Sequence, residues 1–325
     1  MSQCSLSVAL CTYNGSAFLL EQLKSIAEQT LQPEELIISD DGSQDHTLEI
    51  ATQFAKQAKF KVRLHANPSN VGSTKNFERA IQLSEGDIIL LSDQDDVWRK
   101  DKLERLAHEF GKSSDFGAVF SDAEVVDDQL SPLGYTLWER YAFTPGKRRQ
   151  FLHGCAFAVL LNQNAVTGAT LAFRSWLKPY FLPIPPGWMH DAWIGIIAAV
   201  VSKIGLIPEP LISYRQHETN QIGGRRPSWP QYVKSAWHDN SSFYKEYVLQ
   251  LQLLRQRLGT FQMPALHKQL AMLDARILHF EARSRLPVQR FRRVPLAIKE
   301  LLTLRYFRHS NGGISLAKDL ILPRK

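Results

Sequence analysis

Residues 88–98 read Ile-Ile-Leu-Leu-Ser-Asp-Gln-Asp-Asp-Val-Trp, an apolar run that ends in a cluster of carboxylates. No other stretch of the chain restricts its possible folds as much. Four consecutive aliphatic side chains suit a strand covered on both faces, as in a parallel sheet flanked by helices. Asp93, Asp95 and Asp96 emerge where that strand ends. In open α/β sheets the carboxyl edge is where ligands bind. Like charges this close raise one another's pKa unless a cation stands among them. Hard divalent cations such as Mg²⁺ and Mn²⁺ take carboxylate oxygens and share them with substrate phosphates. The plainer alternative is a solvated acidic turn.

The preceding sequence favours the sheet. Leu6–Cys11 reads as a strand, followed by the turn Thr12-Tyr13-Asn14-Gly15, with Ser16 expected to cap a helix that carries Phe18, Leu19, Leu23 and Ile26. Leu36-Ile37-Ile38 is a second strand and ends at Asp40-Asp41-Gly42-Ser43; Asp45 then caps a helix to about Ala58. Lys61–His65 is a third strand, and Asn70-Val71-Gly72-Ser73 leads into a helix carrying Phe77, Ala80, Ile81 and Leu83. This alternation predicts an α/β fold: a mainly parallel, doubly wound sheet with helices on both faces and right-handed crossovers. No G-x-G-x-x-G follows the first strand, so a dinucleotide cofactor is disfavoured, and no P-loop is present. The Gly-rich phosphate loop with which sugar-nucleotide pyrophosphorylases open is missing as well.

Past residue 114 the pattern loosens. Gly117–Phe120 reads as a strand before the acidic stretch Asp122–Asp128, and Tyr141–Gln150 as an exposed basic loop. Thr167-Gly168-Ala169-Thr170 precedes a short strand at Leu171–Phe173. After Pro183–Pro186 come Gly187-Trp188-Met189-His190-Asp191 and an apolar helix Ala192–Val201. Two short strands, Ile204–Ile207 and Leu211–Tyr214, lead to Arg215-Gln216-His217.

Charge is distributed unevenly. Residues 225–325 hold 19 Lys/Arg against 6 Asp/Glu, so of the chain's 39 basic and 32 acidic residues the first 224 positions hold 20 and 26. A mildly acidic domain over residues 1–225 is expected to precede a basic, amphipathic helical region over 226–325. Cys4, Cys11 and Cys155 have neither metal-ligand spacing nor an even disulfide count, which suits a reducing, cytoplasmic setting. The longest apolar run, Ala192–Val201, is about half of the roughly 20 residues a spanning helix needs. Ser5–Cys11 is too short for a signal-peptide core.

Taken in order, Leu-Ser-Asp-Gln-Asp-Asp-Val-Trp, Thr-Gly-Ala-Thr, His-Asp-Ala-Trp and Tyr-Arg-Gln-His give residues 5–222 a resemblance to the inverting nucleotide-sugar glycosyltransferases of family 2. Within that family the strings are similar to the bacterial rhamnosyltransferase branch. The resemblance implies the GT-A fold, the Rossmann-like architecture of nucleotide-diphospho-sugar transferases. It implies nucleotide binding by Thr12, Tyr13 and Asn14 and by the Asp40-Asp41 turn, whose first aspartate accepts from the base imide. Asp93-Gln94-Asp95 matches the family's D-x-D: Asp93 would face sugar or ribose hydroxyls, and Asp95 with His217 would hold Mg²⁺ or Mn²⁺. Asp191 matches the catalytic base, and Gly168, Ala169, Trp188 and His190 fall near the sugar or acceptor. Simpler roles compete: Asp40 and Asp41 as turn formers, Asp191 as a helix cap, His217 as a surface residue, and Trp98, Trp188 and Trp193 as core aromatics.

The implied partners are a dTDP- or UDP-sugar donor and a glycan or polyisoprenoid-linked acceptor. In the basic region, Val233 and Trp237, then Tyr247, Leu251, Leu254 and Leu258, recur at helical spacing. Arg285, Arg290, Arg292, Arg293, Arg305 and Arg308 lie among apolar and aromatic residues, with Pro287 and Pro295 expected to interrupt the helix. This composition suits an anionic membrane surface, on the inner face of the cell membrane, better than a nucleic acid, for which no recognised motif is present. Its competitor is packing against the catalytic domain. Two other classes of function compete with a sugar transferase: a nucleotidyl or phosphoryl transferase built on the same acidic cluster, and an inactive membrane-associated scaffold.

Overall fold

The computed structural model describes residues 4–217, 241–263 and 266–322, and the chain divides into two compact units, residues 1–225 and 226–325. Val233 and Trp237 lie outside the described residues.

The first unit is built on a nine-stranded mixed sheet. Its strands are β1 (Leu6–Thr12), β2 (Glu35–Asp40), β3 (Lys61–Ala66), β4 (Ile88–Ser92), β5 (Val97–Trp98), β6 (Phe116–Val126), β7 (Pro132–Thr136), β8 (Leu171–Arg174) and β9 (Lys203–Arg215). They are ordered β3-β2-β1-β4-β8-β6-β9-β5, with β7 paired to β6. β3, β2, β1 and β4 run parallel, as the strand–helix alternation requires. Every residue of β1, β2 and β4 is buried, which is why these strands read as unbroken apolar runs. The order reverses between β1 and β4, where Leu10 lies opposite Ser92. A doubly wound sheet opens its ligand crevice at such a switch point.

The second half departs from the parallel plan. β8 enters antiparallel to both β4 and β6, so the turn before it, Gly168–Thr170, arrives beside the carboxyl end of β4. β9 pairs antiparallel with β5, which returns Arg215–His217 to the acidic cluster. Instead of two short strands, 203–215 is one strand. Its register against β6 shifts around Ser121, Asp122 and Glu124, and these irregularities accommodate Pro208 and Pro210. β6 likewise continues through the acidic stretch as far as Val126.

Smaller corrections have local causes. Ser16 does not cap its helix: the helix starts at Leu19, while the Ser16 N–H is spent on Asp45. The supposed basic loop holds a helix, Pro145–Gln150, begun by the Thr144 hydroxyl and a proline at its first position. The apolar helix starts at His190, so Asp191 lies in its first turn.

The second unit comprises the helices Ser241–Gly259, His267–Ser284, Arg290–Leu302, Arg305–His309 and Gly313–Ile321. Leu251, Leu254 and Leu258 are buried, as are Leu273, Ile277 and Phe280 on the next helix. Its centre also contains charge. Arg283 is bidentate to Asp319 (2.7 and 3.2 Å), which also accepts from the Tyr306 hydroxyl at 2.9 Å. His279 bridges Glu300 and Ser310, at 2.8 Å to each. Arg293, expected among the surface cations, is 0% exposed. Its guanidinium donates to the carbonyls of Pro287, Val288, Asp319 and Leu322. Pro295 lies inside its helix rather than interrupting it. Both Pro295 and Phe291, whose carbonyl loses a donor to it, are exposed, so the freed carbonyl is on the solvent side. Among the described residues no helix is long and apolar enough to cross a membrane.

Arg293→Gln should therefore behave unlike its neighbour. Stranding four buried carbonyls is expected to cost about 3–5 kcal/mol, the scale of a broken buried charge network. Arg292→Gln, at an exposed position, should change stability by less than ~0.5 kcal/mol. Urea unfolding of both variants followed by circular dichroism measures the difference.

Candidate active site

The carboxyl ends of β1 and β4, the turn before β8 and the end of β9 converge on the acidic cluster. The loop after β1 is tied down on two sides. Gln94 accepts from the Tyr13 N–H (2.8 Å) and donates to the Tyr13 carbonyl (3.1 Å). A Cβ at Gly15 would fall 2.1 Å from the Gln94 amide oxygen, so only glycine allows that approach. On the other side Asn14 accepts from the Gln44 N–H (2.8 Å) while its own N–H donates to Ser43 (2.9 Å).

Thr12, Asp40 and Asp41 are buried, and their polar atoms bond within the protein. Asp40 accepts from the hydroxyls of Thr12 (2.8 Å) and Ser43 (2.6 Å) and from the Ser43 N–H (2.8 Å). Asp41 accepts from the Asn67 amide (3.0 Å) and from the N–H groups of Val71 and Gly72 (2.9 Å each). The two carboxylates thus shape the loops around the crevice. Tyr13 and Asn14 remain exposed at its rim.

The cluster itself is crowded. Burial, with Asp95 and Asp191 nearby, pushes the Asp93 carboxyl up to about 7. Burial, with Asp95 and Asp93, pushes Asp96 well above the carboxylate range. One Asp96 oxygen accepts from the Arg215 N–H at 3.0 Å, and the other is buried with no hydrogen-bond partner among the described residues. Asp95 is 2.8 Å from His217 Nε2, and the His217 ring lies 4.8 Å from that of Phe18.

Two cations that sequence reasoning passed over stand behind these carboxylates. The buried Arg215 donates to the carbonyls of Asp95 (2.8 Å) and Asp128 (2.5 Å) and to the Glu21 carboxylate, with its guanidinium 4.6 Å from the Phe18 ring centroid. The buried Lys102 ammonium lies 3.6 Å from the Trp98 ring centroid and donates to the Ala169 carbonyl at 2.7 Å. Burial lowers its pKa to about 7, against the pull of Asp96 and Asp93. Arg215 returns to the cluster from 119 positions away, whereas Lys102 lies six residues beyond Asp96 and is turned inward by its bond to Ala169.

Asp191 stands close enough to Asp93 to raise that carboxyl's pKa. It accepts from the Gly168 N–H (3.2 Å) and the Ala192 N–H (2.6 Å), so one carboxylate joins the turn before β8 to the start of its own helix. His190 is buried and stacked on Phe77 at 3.9 Å, with neither ring nitrogen hydrogen-bonded among the described residues; burial lowers its pKa. A Cβ at Gly168 would meet His190 Nε2 at 2.6 Å. Ala169 is fully buried and Trp188 partly so, packed against the buried Trp193; Trp98 is a core residue.

Among the described residues no three His, Cys, Asp or Glu side chains form a ready coordination shell. The donors nevertheless fit a hard divalent cation. Such ions are commonly held by one or two protein groups, with water and substrate phosphate supplying the rest. Asp95, His217 and the unpaired Asp96 oxygen offer donors where negative charge is in excess.

Residues 7–159 match the sequence family described as "Glycosyl transferase family 2". The chain is 29% identical over 229 residues to the uncharacterized glycosyltransferase alr2836 of Nostoc sp., a match covering 66% of each chain. It is 26% identical over 249 residues to the dTDP-rhamnosyl transferase RfbG of Shigella flexneri, covering 73% of this chain and 81% of that one. Among solved structures it resembles S. aureus TarS 1-349 in complex with UDP-GlcNAc, with a TM-score of 0.61 and 17% identity over 97% of this chain and 89% of that one. The mannosyltransferase PcManGT from Pyrobaculum calidifontis, in complex with GDP-Man and Mn²⁺, has a TM-score of 0.52 and 16% identity over 98% and 81%. These likenesses identify the fold as that of the GT-A glycosyltransferases.

The crowding of the cluster has a measurable consequence. Asp93 binds its proton more tightly when folded than when unfolded. Its ionisation therefore costs nothing below about pH 4, opposes folding increasingly as pH rises, and does so fully above pH 7. Asp93→Asn should raise the melting temperature above pH 7 and leave it nearly unchanged below about pH 4. Scanning calorimetry across that range, without added divalent cation, checks the sign.

Proposed function

We propose that the chain, whose residues 7–159 match glycosyl transferase family 2, is an inverting enzyme that moves a sugar from a nucleoside-diphosphate donor to a hydroxyl of a cell-surface glycan precursor. The observation that carries this reading is the pairing of two acidic groups across one crevice. Asp191, held by the Gly168 and Ala192 N–H groups, stands near enough to Asp93 to raise that carboxyl's pKa. The opposing group, Asp95 with His217, lies at the end of β4.

The chemistry is a single displacement. The acceptor oxygen bonds to the donor's anomeric carbon, the bond from that carbon to the diphosphate oxygen breaks, and the acceptor's proton passes to Asp191 as general base. Its two backbone donors orient the carboxylate toward the acceptor side. A divalent cation, Mg²⁺ or Mn²⁺, would be held by Asp95 and His217 and, when bound, supplies Lewis-acid neutralisation of the diphosphate. Tyr13 and Asn14, exposed at the rim, would meet the nucleotide, with Thr12, Asp40 and Asp41 fixing the loops they stand on. Asp93 would face the donor's sugar or ribose, and Gly168, Ala169, Trp188 and His190 would shape the sugar and acceptor side.

For the donor, L-rhamnose from dTDP-rhamnose is favoured by the likeness to the Shigella flexneri dTDP-rhamnosyl transferase. A UDP-hexose is the alternative, in keeping with the TarS complex with UDP-GlcNAc. The acceptor would be a polyisoprenoid-linked glycan of O-antigen, capsule or similar assembly. It would be presented at the inner face of the cell membrane, where the basic second unit would hold the enzyme. Calorimetric titration of dTDP-rhamnose, UDP-glucose, UDP-galactose and UDP-GlcNAc with Mn²⁺ tests the donor. If none binds, the sugar-transfer reading fails.

Two variants test the assigned roles. Asp191→Asn keeps the size and one of the two backbone N–H contacts but removes the base; turnover should fall by roughly 10²-fold or more while donor affinity stays within a few-fold. Asp95→Ala, or chelation of the wild type, should abolish donor binding and turnover together. Full activity in excess EDTA would remove the cation from the scheme.

A further inference from the structure

On the helix Arg290–Leu302 the two faces differ sharply. Arg293, Ala297 and Glu300 point inward and are buried. Roughly half a turn away, Phe291 (72% exposed), Ile298 (48%) and Leu302 (79%) form an outward stripe, with Val294 beside it. Arg292 and Lys299 border the stripe on one side and Arg290 on the other, all three exposed. The helix's single acidic residue, Glu300, faces inward and is bonded to His279 and Arg305. Leu304 and Phe307, just beyond, are also exposed. Soluble monomers rarely leave contiguous apolar surface open in this way unless something covers it.

We infer that this face is a docking surface for an anionic lipid bilayer, on which the helix lies flat. Its 13 residues are far too few to span the hydrocarbon core, but they suit an interfacial helix whose apolar stripe enters the acyl boundary while bordering cations meet lipid phosphates. Charge complementarity decides against a second copy of the chain. A two-fold contact through this stripe would bring Arg290, Arg292 and Lys299 toward their own counterparts, with no acid on the face to answer them. The inference deepens the lipid-linked acceptor proposed above and depends on that reading only for its purpose; the docking itself follows from exposure and charge. It also reassigns the basic cluster read from the sequence: Arg293 works inside the fold, and the apolar residues do as much as the arginines.

Co-sedimentation of the full chain with vesicles of phosphatidylglycerol and phosphatidylethanolamine, against vesicles of phosphatidylcholine, provides the test. The wild type should bind the anionic vesicles at low salt and leave them at high salt. Arg290→Gln and Arg292→Gln should each weaken partition roughly fivefold. Phe291→Ser with Leu302→Ser should weaken it by roughly tenfold or more at low salt, where charge attraction alone persists. Both substitutions are at exposed positions, so melting temperature should hold. Turnover on a short soluble acceptor, measured in parallel, should be unchanged. Failure of the wild type to bind, or wild-type binding by the Phe291/Leu302 variant, overturns the inference. So does a wild-type dimer that this variant converts to a monomer without any vesicle binding, since the face would then belong to a second copy. Absence of turnover in every form, with vesicle binding intact, would count against the sugar-transfer reading and leave the docking surface standing.

Discussion

Four carboxylates brought to one crevice, Asp93, Asp95, Asp96 and Asp191, would repel one another enough to oppose folding if nothing answered them. Arg215 and Lys102 answer them from inside the fold. Each is buried, and each is bound to backbone carbonyls as well as to the field of the acids. This gives the antiparallel second half of the sheet its purpose. β9 must return along β6 and pair with β5 to bring Arg215 under Asp95 and Asp96. β8 must run against β4 so that the Ala169 carbonyl can receive Lys102. A buried charge left unpaired is among the costliest features a core can carry. The compensation is incomplete, since Asp93 and Asp96 still hold protons tightly. That residual excess is what a divalent cation would relieve.

The loops around the crevice depend on a second use of carboxylates. Asp40 and Asp41 are adjacent in sequence but face different partners, Asp40 the β1 end and its own turn, Asp41 the segment from Asn67 to Gly72. Gly42 and Gly72 adopt positive φ angles of 79° and 88°, which lets the backbone present its N–H groups to these acids. Three βα loops are thereby fastened to one another before any ligand arrives. The exposed Tyr13 and Asn14 stand on a preorganised base, and a site on such a base loses less conformational freedom on binding.

The parallel half of the fold was legible because its determinants are local. Unbroken apolar runs mark strands buried on both faces, and turn residues follow each of them. What escaped sequence reasoning depended on partners far along the chain. Arg215 meets Asp96 across 119 positions and Lys102 meets Ala169 across 67; neither residue type nor spacing announces such a pairing. The sequence reads β9 as two short strands, and only the register shifts against β6 show how one strand holds Pro208 and Pro210. The helix at Pro145 was a different kind of miss. Thr144 and Pro145 are a local capping signal, outweighed by the basic residues that follow. For the site, the chemical groups could be listed from sequence, but the division of labour could not. Thr12, Asp40 and Asp41 fasten the loops to one another, and Gln94, between two aspartates, clasps the first loop.

Net charge misleads in the second unit for a related reason. The surplus of basic residues over 225–325 suggests a uniformly positive surface, yet Arg276, Arg283 and Arg293 are buried, where they bind phenols, a carboxylate and carbonyls. Helical phase decides the fate of each arginine. Arg292 and Arg293 are neighbours in sequence but point about 100° apart, one toward solvent and one into the core. With the interior arginines removed from the count, the exposed cations of Arg290–Leu302 border an apolar stripe, and the helix's only acid faces the other way. Counted by face, three of these cations border one oriented surface, while Arg293, counted with them in the sequence, packs beneath it.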